Sequence, residues 1–404
     1  MITKEEFRAE ATAFLEANAK RRVEVSEKWG EGSDEVAILP ERTPEEDAAL
    51  LAAAREWRAR VFDAGFGWIS GPPRYGGRGL PGDYERLYQS LEAGFDVPDI
   101  GPFGIGLGMV APTIQAHAQE EVRARYLPGL YRGDVVACQL FSEPVAGSDL
   151  AGIQTRAERD GDEWVVNGQK LWTSGAQFSD IGELITRTAS YPQSRHRGLT
   201  MFLVDMRAPG VDVRPLRQMT GGASFNEVFF ADVRIPDQMR LGEVDEGWGV
   251  ALTTLMNERL AIGGGFLGSG MLGFGGRLQQ LARQLGAAGD PTVRQQLARV
   301  FIGVQVARYT ALRAMAKLQA GQLPGPEMSA LKLALTNNMQ GIAALLTSIL
   351  GPRLIADTGE WGTYAWAEFV LGVPGMRVAG GTDEILRNIV GERVLGLPKE
   401  PRGA

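Results

Sequence analysis

The sequence predicts an α+β chain with three domains: an N-terminal helical domain over 1–135, a central antiparallel β-domain over 136–240, and a C-terminal helical domain, a four-helix bundle, over 241–404. Three observations carry this. Apolar residues recur at three- and four-residue spacing in both outer parts of the chain. The middle part switches to short runs rich in β-branched and aromatic residues, separated by turn signals. The length of 404 residues suits two or three domains, each with its own core.

Helical periodicity in the first part covers 5–19, 45–63, 83–95 and 117–131. Between these lie breaker clusters: SEKWGEGSDE, GPPRYGGRGLPGD and the Gly-rich GPFGIGLGMVAP. The 26–44 segment is long for a connection in a compact domain and reads as a surface excursion or lid. In the middle part VVACQLF, IQTRAER, EWVVNGQKLW, IGELITRT, LTMFLVD and NEVFFADVRI read as strands. Asp160-Gly161, Asn167-Gly168 and Pro209-Gly210 read as turns. Helical period returns over 247–285, 291–320, 327–350 and 382–395, punctuated by Pro291, Pro324, Pro326, Pro352 and Pro374.

Composition excludes several functions. Hydrophobic residues make up 44% and charged residues 23%, an ordinary globular balance. The net charge of −7, without a long Lys/Arg run, is unsuited to binding nucleic acid. The single Cys138 rules out an internal disulfide and paired-cysteine zinc patterns, and fits a reducing cytoplasm. The N-terminal stretch is an amphipathic charged helix rather than a signal peptide, and no long apolar run without charges predicts a membrane span. His117 and His196 stand far apart without metal-ligand spacing, which disfavours a histidine triad or zinc hydrolase. Gly268-Ser269-Gly270-Met271-Leu272-Gly273 spells a dinucleotide fingerprint, but that motif needs a strand before it, and the preceding residues have helical period. Close helix packing is the better reading of those glycines.

The stretch CQLFSEPVAGSDLAGIQTRAERDGDEWVVNGQKLWTSGAQFSD (138–180), followed by FNEVFFADVRIP, LGEVDEGWGVALTTLMNERL and AGGTDEILRNIVGERVLGLP, resembles the acyl-CoA dehydrogenases in order and spacing over roughly 45–398. The resemblance implies two helical domains around a β-barrel-like domain. It implies FAD as cofactor and conversion of an acyl-CoA to its 2,3-enoyl-CoA, the chemistry of fatty-acid β-oxidation. A carboxylate takes the α-proton and the β-hydrogen leaves as hydride to flavin N5, with electron-transfer flavoprotein as the usual acceptor.

By the same resemblance Gln139, Phe141 and Ser142 lie along the isoalloxazine ring, with Ser142 on its polar edge. Trp172 and Ser174 stack on the ring and bond near N5, core packing being the competing reading of Trp172. Gly147 and Ser148 form a tight turn whose N–H groups suit an anion or thioester arm, with Ser148 beside the CoA arm. Thr382 and Glu384 lie near the ribityl-phosphate part.

Many family members carry the catalytic Glu in a YEGT-like motif, where this chain has Gly380. A subset similar to the isovaleryl- and long-chain members places it on the first long helix after the β-domain, just before an Arg, which here is Glu258 before Arg259. On a helix Glu258 shares a face with Leu255, Ala261 and Ile262, a setting that strengthens a base by desolvation. Arg259, as its immediate neighbour, does not face it; it steadies the helix or reaches the CoA side. A buried structural ion pair is the competing reading of Glu258. By analogy the Gly380 N–H bonds the thioester oxygen.

Two flavin-clamping elements of the family are altered. GGRLQQLARQLGAAGDP lacks an Arg-x-x-Phe-Gly pattern, and LTSILGPRLIADTG stands where Gln-x-x-Gly-Gly is common. Arg277 and Arg283 are candidates to substitute. Homodimer, homotetramer and hetero-oligomer stay open, as do a non-catalytic partner subunit, of the kind found in steroid side-chain degradation, and an oxidase. Gly380 opens room for a branched or bulky acyl group.

Overall fold

The computed structural model describes all residues except 1, 23–28, 37, 39, 190–194, 269–273, 320–324 and 400–404. It forms two compact units, Met1–Val25 with Arg42–Gln218 and Ala223–Leu255, and Ser26–Glu41 with Met219–Gly222 and Met256–Ala404.

The first unit begins with α1 (Lys4–Asn18), strand β1 (Lys20–Arg21) and α2 (Pro44–Asp63). Both helices start on capping boxes, Thr3 with Glu6 and Thr43 with Glu46, where each threonine oxygen takes an orphan N–H. Helix α3 (Gly82–Glu92) and strand β2 (Phe95–Asp96) follow, and β2 pairs with β1. Phe7, Phe66, Tyr84 and Tyr88 pack these helices together, Phe7 meeting Tyr84 edge-on at 5.2 Å.

The Gly-rich stretch read as a breaker is largely helical. A π-helical turn, Gly106–Val110, runs straight into α4 (Ala111–His117). Packing overrides propensity here: Phe103, Val110 and Ile114 are buried, and Gly106 lies where a Cβ would meet Leu130 and Ala137 at 3.5–3.6 Å. Helix α5 (Glu120–Arg132) completes the helical layer, so the segment read as one helix from 117 breaks at Ala118.

The sheet holds β3 (Ala137–Leu140), β4 (Arg156–Asp160), β5 (Glu163–Ser174), β6 (Ile181–Arg187), β7 (Leu199–Asp205), β8 (Val211–Leu216), β9 (Phe225–Pro236) and β10 (Arg240–Leu241). Its order is β10-β7-β6-β4-β5-β9-β8, with β3 alongside β6. Pairing is antiparallel except that β3 and β4 run parallel to β6. Asp160-Gly161 and Pro209-Gly210 turn the chain as expected. Asn167-Gly168 does not; it lies inside β5 at a register shift, where the Asn167 amide bonds Asp232 across the strand pair at 3.0 Å. Gly168 belongs there because a Cβ would sit 2.5 Å from Thr155 Oγ1. One face of the sheet packs on the helices through Ile181, Ile185 and Met201, and the other buries Leu184, Phe202 and Val228.

Helix α6 (Gly247–Gly268) leaves the sheet at Gly247, where an added Cβ would meet the Leu199 carbonyl oxygen at 2.8 Å. The second unit continues with α7 (Phe274–Gln284), α8 (Pro291–Gln319), α9 (Met328–Leu350), α10 (Trp366–Met376) and α11 (Asp383–Ile389), the last running into a π-helical turn, Val390–Val394. The segment read as helical over 247–285 thus contains two helices, and most of the fingerprint-like glycine run, 269–273, lies outside the described residues. Helix α10 was not anticipated, and Pro374 sits inside its last turn rather than ending it. By length and composition α9 could cross a membrane; here it packs against α8, α10 and α11 around Trp366 and Phe369. The 29–41 segment carries neither helix nor strand among its described residues and docks on its own unit: Trp29 meets Trp361 at 4.9 Å, and the Asp34 and Glu35 carbonyls accept from Arg277.

Phe202→Ala removes a fully buried ring from the sheet core. Chemical denaturation is expected to show a loss of about 3–5 kcal/mol; a loss under about 1 kcal/mol would contradict this packing.

Candidate functional site

Strand β3 and the loop after it carry five of the residues singled out. Gln139 lies on β3 and is half-buried, Phe141 is buried and Ser142 half-buried. Glu143 and Ala146 exchange main-chain hydrogen bonds at 2.9 and 3.1 Å, closing a turn that lifts Gly147 and Ser148 into solvent. A Cβ at Gly147 would meet nothing within 4 Å, so that turn is open to a bulky neighbour.

The loop is held by an ion pair that sequence reasoning overlooked. Lys170 on β5 is fully buried, and its ammonium reaches Glu143 Oε1 at 2.8 Å and the Phe141 carbonyl at 3.0 Å. Glu143 also accepts from the main-chain N–H groups of Gln154 and Thr155 at 2.6 and 2.9 Å. Burial works against the Glu143 charge, but Lys170 and these donors hold its carboxyl below the usual range. Burial pulls the Lys170 ammonium down to about 8 against the upward pull of Glu143. The signal was present as Ser-Glu-Pro and Gln-Lys-Leu-Trp, but nothing in the spacing says that these two charges meet.

Next to Lys170 the β5–β9 pairing slips between Lys170 and Thr173. The Leu171 N–H turns instead to the Ser142 carbonyl at 2.8 Å, which sets Ser142 beside the bulge. Trp172, at the apex, takes a left-handed backbone (φ 60°) that a bulky side chain adopts only at a cost. Its indole is 58% exposed and touches Phe225 edge-on at 5.9 Å. Core packing is therefore not its role within this unit. Ser174 ends β5 two residues on, half-buried and paired with Phe225. The structure thus gathers Phe141, Ser142, Trp172 and Ser174 along one strand-and-loop edge.

Behind the Gly147-Ser148 turn, Asp149 pairs with Arg195, and Arg187 donates to the Ala151 carbonyl at 2.6 Å and the Arg195 carbonyl at 3.3 Å. His196 packs against Trp248 with the rings tilted and their centroids 4.7 Å apart, and His117 bonds Thr253 at 2.9 Å, so both histidines have structural partners. No group of three or more metal-ligating side chains occurs among the described residues.

In the second unit Gly380, Thr382 and Glu384 share one turn. Gly380 and Gly381 are both left-handed (φ 66° and 91°), which makes glycine the fitting residue. The turn is clamped from beneath: Lys332 on α9 donates to the Gly381 carbonyl at 2.8 Å and lies 3.6 Å from Asp383. Asp383 is buried and also bonded by Arg377 and Thr336 at 2.7 and 3.1 Å. Burial works against its charge, but these partners hold it below the ordinary range. Thr382 caps α11 by accepting from the Ile385 N–H at 3.2 Å, and Glu384 is exposed beside Arg387. Among the described residues no main-chain acceptor takes the Gly380 N–H, which stays available as a donor.

Glu258 lies on α6 and is half-buried; Leu255 and Ala261 of its face are half-buried too. Arg259 is on the same helix turn, and its side chain lies outside what the structure describes. Arg277, a candidate flavin clamp, is engaged within its own unit by Asp34, Glu35, Trp361 and Trp366. Arg283 is exposed in the last turn of α7.

Comparison with known proteins is consistent with this geometry. The family models for the acyl-CoA dehydrogenase middle domain and C-terminal domain match residues 138–233 and 245–395. Acyl-CoA dehydrogenase IpdE1 of Mycobacterium tuberculosis is 36% identical over 99% of each chain. Acyl-CoA dehydrogenase FadE34 of that organism is 36% identical over 96% of this chain and 52% of its own. The solved structure of the Tcur3481-Tcur3483 steroid ACAD aligns with a TM-score of 0.75 at 26% identity over 98% of both chains. The ChsE4-ChsE5 complex from Mycobacterium tuberculosis aligns with a TM-score of 0.70 at 28% identity over 99% of both chains.

Lys170→Met leaves the Glu143 carboxylate buried without its cation. Such a break is expected to cost about 3–5 kcal/mol of stability. Unchanged stability, read by chemical denaturation, would show that the pair does not hold this edge.

Proposed function

Because the chain belongs to the acyl-CoA dehydrogenase family, we propose that Glu258 is the base that takes the α-proton of a bulky acyl-CoA thioester, at a site that also binds FAD. The family comprises FAD-dependent oxidoreductases. The observation that carries the site assignment is Trp172: a large ring held outward by strained backbone suits a flat partner ring better than solvent. A bound FAD supplies the acceptor for the β-hydride. Trp172, Ser174, Ser142, Phe141 and Gln139 are the residues that would hold its ring, and Thr382 and Glu384 its ribityl-phosphate part.

Gly380 brings no side chain to the place where many relatives carry their base, and its N–H is available to polarise the thioester carbonyl. With that place lacking a carboxylate, Glu258 is the group left to accept the α-proton. Arg259 and Ser148 orient the CoA arm. Electrons then pass to an electron-transfer flavoprotein.

One of the aligned structures is a steroid ACAD, which supports a polycyclic or branched acyl group rather than a linear one. A second reading concerns assembly. Two aligned structures carry paired names, and Arg277, a candidate flavin clamp, is engaged by its own unit. These favour a hetero-oligomer whose other chain completes the flavin site.

Glu258→Gln is expected to slow flavin reduction by thioester about 10²–10⁴-fold while flavin stays bound; retained turnover would refute the assignment. For the lone purified chain, the visible spectrum decides the assembly reading. Near-stoichiometric flavin would sink the requirement for a second chain, and a colourless protein that takes up no added FAD would support it.

A further inference from the structure

Glu183 stands in the middle of β6, fully buried, with Gln139 of β3 and Leu203 of β7 as its strand partners. Its Oε1 lies 2.6 Å from Thr254 Oγ1 on α6. Thr254 Oγ1 lies 3.0 Å from Thr113 Oγ1 on α4, and Thr113 donates to the Met109 carbonyl at 2.9 Å. These three short contacts form a chain from β6 through α6 to α4.

Counting hydrogens decides its charge state. The two threonines bring two hydroxyl hydrogens to these three short contacts, with the Val250 carbonyl a more distant acceptor for Thr254 at 3.4 Å, and the chain ends on a carbonyl that can only accept. With Glu183 ionised, one contact is left without a hydrogen. With Glu183 protonated on Oε1, each of the three short contacts has its own hydrogen: Glu183 donates to Thr254, Thr254 to Thr113, and Thr113 to Met109. The other oxygen, Oε2, has no hydrogen-bond partner among the described residues. An unpaired carbonyl-type oxygen is far cheaper to bury than half of a carboxylate.

We propose that Glu183 is a neutral acid acting as a positioning residue, its O–H fixing through Thr254 the first half of α6, whose next turn carries Glu258. The consequence for Glu258 rests on the base assignment above. The charge balance around Glu183 agrees. No charged side chain of β3, β7, α4 or α6 among the described residues is bonded to it; the titratable groups next along those helices are His117, bonded to Thr253, and Glu258 with Arg259. On β6 itself, Arg187 is engaged with the Ala151 and Arg195 carbonyls. Burial raises the acid from 4.5 to about 8, against the pull of the Thr254 hydrogen bond. A folded value raised in this way contributes stability that is complete below 4.5 and is lost as pH rises through about 8.

The experiment compares wild type with Glu183→Gln, whose amide keeps a donor and an acceptor in the same shape, and with Thr254→Val. The wild-type infrared spectrum at neutral pH is expected to contain a protonated-carboxyl C=O stretch that is missing in Glu183→Gln. Between pH 5 and 8 the folded-to-unfolded ratio of wild type should fall about tenfold per pH unit relative to Glu183→Gln. Glu183→Gln should keep kcat within about twofold, while Thr254→Val should lower kcat about tenfold or more with little change in KM. Absence of the infrared band, or a pH-independent difference in stability, overturns the neutral acid; unchanged kcat in Thr254→Val overturns the positioning role. If Glu258 is not the base, Glu258→Gln reveals it separately, and the infrared and stability results still decide the state of Glu183.

Discussion

The buried pair of Lys170 and Glu143 is the contact on which the Ser142–Trp172 edge of the first unit depends. One ammonium gathers a carboxylate and the Phe141 carbonyl, and the carboxylate gathers two main-chain N–H groups from the following segment. Separate stretches of chain therefore converge on a single charge pair. A buried pair of this kind adds little net stability over an apolar core of equal volume, but it is specific in direction. That direction lets β5 break its ladder beside Lys170 and turn Trp172 outward, because the backbone there gains the Ser142 carbonyl in exchange.

The second unit solves a similar problem with the same chemistry. Two consecutive left-handed glycines make a turn that has little stiffness of its own. Lys332 and Asp383, drawn from α9 and from the first turn of α11, tie it down through a carbonyl and through Arg377 and Thr336. In both units a buried Lys–acid pair supports a loop, and those two loops carry residues to which the family resemblance assigns a role. Glu183 differs. It is an acid without a cation, so it works as a hydrogen-bond donor, and its effect is on the placement of a helix rather than of a loop.

Much of the architecture was legible in the sequence because it follows from short-range rules. Apolar residues at three- and four-residue spacing over 5–19 and 45–63 mark helices, and apolar runs such as LTMFLVD mark strands. The failures have particular causes. GPFGIGLGMVAP looked like a breaker because glycine lowers helix propensity, yet burial of Phe103, Val110 and Ile114 outweighs that loss. Asn167-Gly168 looked like a turn because the pair favours one, but Gly168 is there to let Thr155 approach within β5. Pro374 looked like a stop, yet the helix runs two residues past it, to Met376.

By itself the sequence determined the helix–sheet–helix order, the family resemblance, and the candidate residues from Gln139 to Ser174, at 258, and from 380 to 384. These are properties of local spacing and of motif order, which survive without coordinates. Only the tertiary structure decided which charges are buried and with what. Lys170 and Glu143 are separated by a strand and a loop, Lys332 and Asp383 by the rest of α9 and all of α10, and Glu183 and Thr254 by the four strands β7 to β10. Burial and hydrogen-bond partnership depend on what the fold brings from far along the chain, and no periodicity or motif encodes that distance. The same holds for Trp172, whose identity was evident from its motif but whose outward, strained placement arises from a register slip between two strands.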